Sequence, residues 1–281
     1  MNAKTSEKIA FFILKLCGFV VVIPIILILG FLVVKGLPAI SVEFLTQAPR
    51  MGLKEGGIFP AIVGTVFLVA LAVAIALPLG VACAIYMKEY AGDNRFTRII
   101  RLSIVNLAGV PSVVFGLFGM GLFVLFLKFG VSILSGSLTL AFLILPVIIT
   151  ASEEALLSVP ASFREAALGL GATKLQTIRT VVLPNALPGM LTGAILGISR
   201  AAGETAPILF TVAAFFLPRL PHSIMDQAMA LPYHLYIIAT QVPGVPEKVK
   251  YGTALVLVLL TFGFNFAAIL FRNRIRKQRK W

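Results

Sequence analysis

The sequence predicts an all-α fold, a polytopic transmembrane helix bundle of about six crossings, and three observations lead there. Hydrophobic residues make up 59% of the 281 positions and charged residues only 12%, a balance that a water-exposed globule of this size cannot carry. The apolar residues gather into stretches of the roughly 20 residues that a hydrocarbon core requires. The basic residues stand at the ends of those stretches rather than in one patch.

The predicted crossings cover residues 11–34, 58–87, 99–127, 133–157, 190–217 and 253–271. Pro24, Pro78, Pro111 and Pro146 fall inside them; a packed membrane bundle tolerates this because neighbouring helices and hydroxyl groups can satisfy the freed carbonyls. The first stretch has the basic start of a signal peptide but is too long and lacks a small-residue cleavage site, so it reads as a retained helix. With both termini inside, the inner side holds 16 of the 24 basic residues and the outer side seven, Arg200 lying within a span. The positive-inside rule therefore favours six crossings with both ends cytoplasmic. Residues 218–250 form the outer segment before the last crossing. Its apolar part, 224–240, is interrupted by Asp226, Gln227, Pro232 and His234, which predicts a short interfacial or re-entrant helix rather than a crossing.

No polar linker separates a second folded unit, so residues 1–57 read as a first helix with its external loop, 58–271 as the main transmembrane domain, and 272–281 as a basic cytoplasmic tail. That tail, from Arg272 to Lys280, suits anionic lipid head groups better than nucleic acid. Cys17 and Cys83 lie in apolar spans and give no disulfide framework. His222 and His234 stand apart from other metal ligands and read as interfacial, and Glu153 and Glu154 read as a solvated helix end.

Between the fourth and fifth spans, residues 160–188 are too polar to cross and predict two short cytoplasmic helices. Ser162 with Glu165, and Thr173 with Gln176, have the spacing of reciprocal capping boxes. Gly169 and Gly171 offer the backbone freedom that ends a helix, and Leu183-Pro184 is expected to close the second helix before the next crossing. The order Glu165-Ala166-Ala167, Gly171 six positions after the glutamate, then Leu183-Pro184 and Pro188, resembles the EAA loop of ABC-importer permeases. The resemblance implies a type I importer-permease fold in which residues 162–170, with Ser162, Arg164, Glu165, Ala166 and Ala167, form a coupling helix that docks on a cytoplasmic ATPase. Gly171 would make the bend behind it, and Glu165 would serve as its polar contact or its cap. The chain has no Gly-x-x-x-x-Gly-Lys-[Ser/Thr] loop with which to cradle ATP phosphates. No cofactor is expected here; ATP and Mg would belong to the partner ATPase, and this subunit would be non-catalytic.

The fifth span carries Arg200 and Glu204 inside apolar sequence, followed by Thr205. Both charges are costly in lipid and should face the bundle interior or a water-filled path. At i and i+4 they can pair, and two readings stay open. One is a pair that only packs helices. In the other, Arg200 offers its planar fork to an oxyanion and Glu204 accepts the proton of hydrogen phosphate, which sulfate lacks. The string from Arg200 to Pro207, with Gly109 to Gly119 in the third span, is similar to phosphate-importer permeases of the PstA type. That resemblance covers nearly the whole chain. It implies a heterodimer with a PstC-like permease, a PstB-like ATPase dimer, and a PstS-like extracytoplasmic phosphate-binding protein. Importers of sulfate, molybdate or phosphonate are the alternatives within the class. An ion-coupled transporter or a membrane enzyme is disfavoured, because neither repeated halves with coupled acids nor a catalytic cluster is present.

Overall fold

A computed structural model describes residues 3–92 and 94–277. Helix α1 (Ala3–Gly36) leads into α2 (Val42–Thr46), capped by the Ser41 hydroxyl, which accepts from the Phe44 amide at 3.1 Å. A minimal hairpin of β1 (Pro49–Arg50) and β2 (Glu55–Gly56) follows. Then come α3 (Phe59–Ile85), extended by a π-helical turn at Tyr86–Tyr90, α4 (Arg95–Ala108), and α5 (Ser112–Gly119), extended by a π-helical stretch at Met120–Phe126. The remaining helices are α6 (Ile133–Leu157), α7 (Ala161–Gly169), α8 (Lys174–Thr177), α9 (Leu183–Gly203), α10 (Ala206–Thr211), α11 (Leu231–Thr240) and α12 (Glu247–Lys277).

Among the described residues five helices are long and apolar enough to cross a bilayer, and a sixth crossing exists if α4 and α5 are counted as one span. The third predicted crossing is thus not one straight helix but a bent pair: α4 and α5 meet at 104°, and counted as one broken span they keep the expected six crossings. The cause is local. Proline disfavours the helical region for the residue before it, and Gly109-Val110-Pro111 ends α4 while Pro111, at φ −57° and ψ 140°, opens α5. Pro24, Pro78 and Pro146 stay within continuous helices, as expected. The fifth crossing is also corrected. It runs over 174–203, because the π-helical stretch Ile178–Val182 joins α8 to α9 and Leu183-Pro184 continues the helix instead of closing it.

Helix α6 is the centre. Two thirds of its most apolar window is buried, against none of that of α1. Leu143, Ile144 and Ile148 are fully buried among α3 residues Val69 and Ala76 and α9 residues Ala201 and Ala202. The α6–α9 approach depends on glycine: a Cβ on Gly189 or Gly193 would lie 2.6 Å from the Cβ of Ala155 or Ala151. Without a hydrophobic force between helices in lipid, such close backbone contact is a main source of association. Helix α1 rests against α12 through Phe31 and Tyr251, whose rings meet edge to face at 5.3 Å.

At one end of α3 and α6 a third layer closes the bundle. The Ile133 and Leu134 amides, free at the start of α6, donate to the Asp226 and Ile224 carbonyls at 2.8 Å. The Asp226 carboxylate accepts from the His222 and Ser223 amides at 2.8 and 3.0 Å, which holds its pKa below the usual carboxylate range. Helix α11 is the expected short helix, but it is packed inward: Leu231 and Ile238 are fully buried. His234 is accordingly not interfacial, as predicted, but 2% exposed, with Nδ1 unpartnered. Burial pushes its pKa down to about 4.

That burial makes folding pH-dependent. The unfolded histidine binds a proton below pH 6.5 and the folded one only below about 4, so stability rises with pH through that window and is lost as pH falls through it. The expected difference between the ends of the window is roughly 3 kcal/mol. The melting temperature of detergent-purified protein should drop between pH 6.5 and 4, and His234→Leu should flatten that drop; equal slopes would contradict it.

Candidate functional site

The two groups of residues singled out in the sequence lie at different ends of the bundle. The first lies beyond the end of α6 remote from α11. Pro160, at φ −56° and ψ 140°, is the N-cap of α7. Ser162 is thus already inside the first turn and makes no cap bond, and the predicted Ser162–Glu165 capping box does not form. Glu165 is exposed, and among the described residues its side chain has no hydrogen bond or ion pair. The second box is present in full: the Gln176 amide donates to Thr173 Oγ1 at 3.3 Å and the Thr173 amide to Gln176 Oε1 at 2.8 Å.

Between the two helices Gly171 takes φ +87°, with open space where a Cβ would stand, a region in which only glycine is at ease. Gly169 remains helical, so Gly171 alone makes the bend. The turn leaves an outward face of Ser162, Glu165, Ala166, Leu168 and Leu170, with Ala167 half-buried. Leu170 is 89% exposed. An apolar knob and an unpaired carboxylate thus stand together on the exposed side of α7.

Arg164 departs from the expected arrangement. Its guanidinium turns away from that face and donates to Glu89 Oε1 at 3.0 Å, to the Leu156 carbonyl at 2.8 Å and to the Val159 carbonyl at 2.7 Å. No local pattern points to Glu89, which pairs with Arg164 across 75 residues. Glu153, read as solvated, is instead mostly buried and 3.7 Å from Arg101.

The second site lies where α9 stops. Glu204 has left the helix at φ −76° and ψ 134°, and Thr205 precedes α10 without a side-chain cap bond. Arg200 and Glu204 nevertheless pair, Nε to Oε1 at 3.6 Å. One flank is protein: Glu204 borders a cavity of about 10 Å³ with Thr65, Leu68, Leu140 and Pro232, which is no more than a water's room. The other flank is open. Leu196, Arg200 and Gly203 follow one another at i, i+4 and i+7; Leu196 is 54% exposed, and a Cβ on Gly203 would have nothing within 4 Å. A charge pair on an open membrane-level face demands a water path or a second protein surface. Beside it, the Ser199 hydroxyl donates to Asn265 Oδ1 of α12 at 2.7 Å, which fixes the rotation of α9.

Residues 76–280 match the family described as binding-protein-dependent transport system inner membrane component. The chain belongs to that family and is a multi-pass permease of the ABC-importer type. It is 33% identical to the probable ABC transporter permease protein YqgI of Bacillus subtilis, over 95% of both chains. It is 34% identical to the phosphate transport system permease protein PstA 1 of Mycobacterium tuberculosis, over 99% of this chain and 90% of that one. Among solved structures, a bacterial ABC transporter that imports the acidic polysaccharide alginate superposes with a TM-score of 0.67, covering 97% of this chain and 96% of that chain at 12% identity. The MetNI methionine ABC transporter superposes at 0.58, covering 78% and 94% at 19% identity. These likenesses establish the importer-permease fold.

Proposed function

We propose that this permease is one of two membrane subunits of an ATP-driven importer of inorganic phosphate. The observation that carries the reading is the identity of about a third to PstA permeases over nearly the whole chain. In this reading the open face of Leu196, Arg200 and Gly203 meets a PstC-like subunit, and the solute passes between the two. Arg200 presents its fork to the phosphate oxygens, and Glu204 accepts from the P–OH group of hydrogen phosphate. The α7 face docks on a PstB-like ATPase dimer, which holds the ATP and Mg, and a PstS-like protein delivers phosphate from outside. The chain itself carries no cofactor and catalyses no covalent step. It sits in the bacterial or archaeal plasma membrane with both ends in the cytoplasm, where the basic residues of α12 meet anionic head groups.

A second reading, another oxyanion, is favoured by Arg200 itself, since a guanidinium recognises any of them. The two are separated by ATP-driven uptake of radiolabelled phosphate into proteoliposomes holding the whole complex. A large molar excess of unlabelled phosphate should suppress uptake, and the same excess of sulfate or molybdate should leave most of it. Suppression by sulfate equal to that by phosphate would overturn the phosphate reading.

A further inference from the structure

We propose that Arg164 is a positioning residue that clamps the docking helix to two spanning helices, so that displacement of α7 by the ATPase is delivered to α3. The inference rests on the ATP-coupled reading and adds the route by which motion leaves α7.

The guanidinium joins three elements at once. It closes on the Leu156 carbonyl in the last turn of α6 and on Val159 just beyond it, where helical carbonyls lack internal partners. It also reaches Glu89 in the π-helical turn that ends α3, through Nη2 at 3.0 Å and Nε at 3.3 Å. Both side chains are largely enclosed, at 20% and 10% exposure. A second tie runs parallel: Lys174 Nζ at the start of α8 lies 5.0 Å over the ring of Tyr90, next to Glu89. Both ends of the α7–α8 turn are thus fastened to the same five-residue turn of α3.

The far part of α3 reaches the other site. Thr65 Oγ1 accepts from the Leu231 amide of α11 at 2.8 Å, and Thr65, Leu68 and Val69 line the small cavity beside Glu204. A continuous helix fastened at one end to the docking unit and abutting the charged pair at the other offers a route between them, and the label experiment below asks whether it takes two positions. Lysine cannot replace Arg164, because a single ammonium lacks the planar fork that meets a carboxylate and two carbonyls.

The test uses the whole complex with its ATPase, a spin label at Phe67→Cys on α3 with Cys17 and Cys83 replaced by alanine, and the variants Arg164→Gln, Arg164→Lys and Glu89→Gln, the last nearly isosteric and so safe for folding. With the native clamp, ATP should shift the label's spectrum. Glu89→Gln and Arg164→Gln should each abolish most of that shift and lower uptake per ATP by about tenfold or more, with ATPase affinity changed by less than about twofold. The double variant should be no worse than either single, since both remove one link, and Arg164→Lys should recover only part. A Glu89→Gln label response equal to wild type, no response in the wild type, or loss of ATPase binding as the sole defect would each overturn the clamp. A wild-type complex whose label responds to ATP but which takes up no phosphate would overturn the phosphate reading and leave the clamp standing.

Discussion

Valine in place of Gly171 should abolish uptake in a protein that still inserts and still melts near the wild-type temperature. The residue sits at φ +87°, and a side chain there would begin with nothing within 4 Å of its Cβ, so the penalty is one of backbone conformation, not of packing. Forcing an L-residue into the left-handed region costs about 1–2 kcal/mol, and a β-branched one more. Each 1.4 kcal/mol is about tenfold in population, so the turn that aims Leu168 and Leu170 outward should be populated about tenfold less or worse. Gly171→Ala should show an intermediate loss. Gly169→Ala is the control: Gly169 is helical and unobstructed, so alanine there should leave uptake intact. ATPase co-purification and uptake, measured on all three, check the sequence of effects; normal uptake by the valine variant would show that the bend is dispensable.

Glutamine in place of Arg200 should lower uptake by about a hundredfold, corresponding to roughly 2–3 kcal/mol, while ATPase binding is unchanged. Removing one partner of this partly buried pair leaves the other charge unpaired, and costs of this order are usual. Glu204→Gln should act differently. The pair is lost, but the amide can donate to an anion that brings no proton, so discrimination between phosphate and sulfate should narrow. Uptake of both anions by both variants separates transport from packing. If Arg200→Gln imports phosphate at the normal rate and only melts earlier, the pair serves helix packing alone.

Most of the bundle is legible in the sequence because hydropathy reports which stretches avoid water. Hydropathy does not report whether a stretch is one helix, and the third and fifth crossings depart from expectation for that reason. Pro78 and Pro111 look alike in an apolar window, yet of the two only Pro111 has a glycine two positions before it and a serine after it, and only there does the chain turn by 104°. Pro160 carries the same lesson. It takes the N-cap position with the backbone angles of Pro111, which moves Ser162 too far into the first turn to cap. Thr173 has no proline before it, and its box forms.

The exposed face of α7 and the bend behind it are readable, since Gly171 and the Glu165-Ala166-Ala167 string are local features. Arg164 belongs to that face by adjacency alone and turns the other way, because its partner Glu89 is 75 positions distant and no local rule connects them. His234 differs for a similar reason: a polar residue in an interrupted apolar segment reads as interfacial until α12 and α3 pack against α11. The Arg200–Glu204 pair follows from spacing, but the break that ends α9 between them does not. Gly203 before Glu204 is the available signal.

If α7 is the docking helix, work enters this permease from outside the chain, and one comparison tests that most directly. In the proteoliposomes used for the anion competition, phosphate uptake should be measured with the ATPase present and with it omitted, at equal amounts of inserted permease. ATP-dependent accumulation is expected in the first and none in the second. Accumulation against a gradient without the ATPase would contradict coupling through α7.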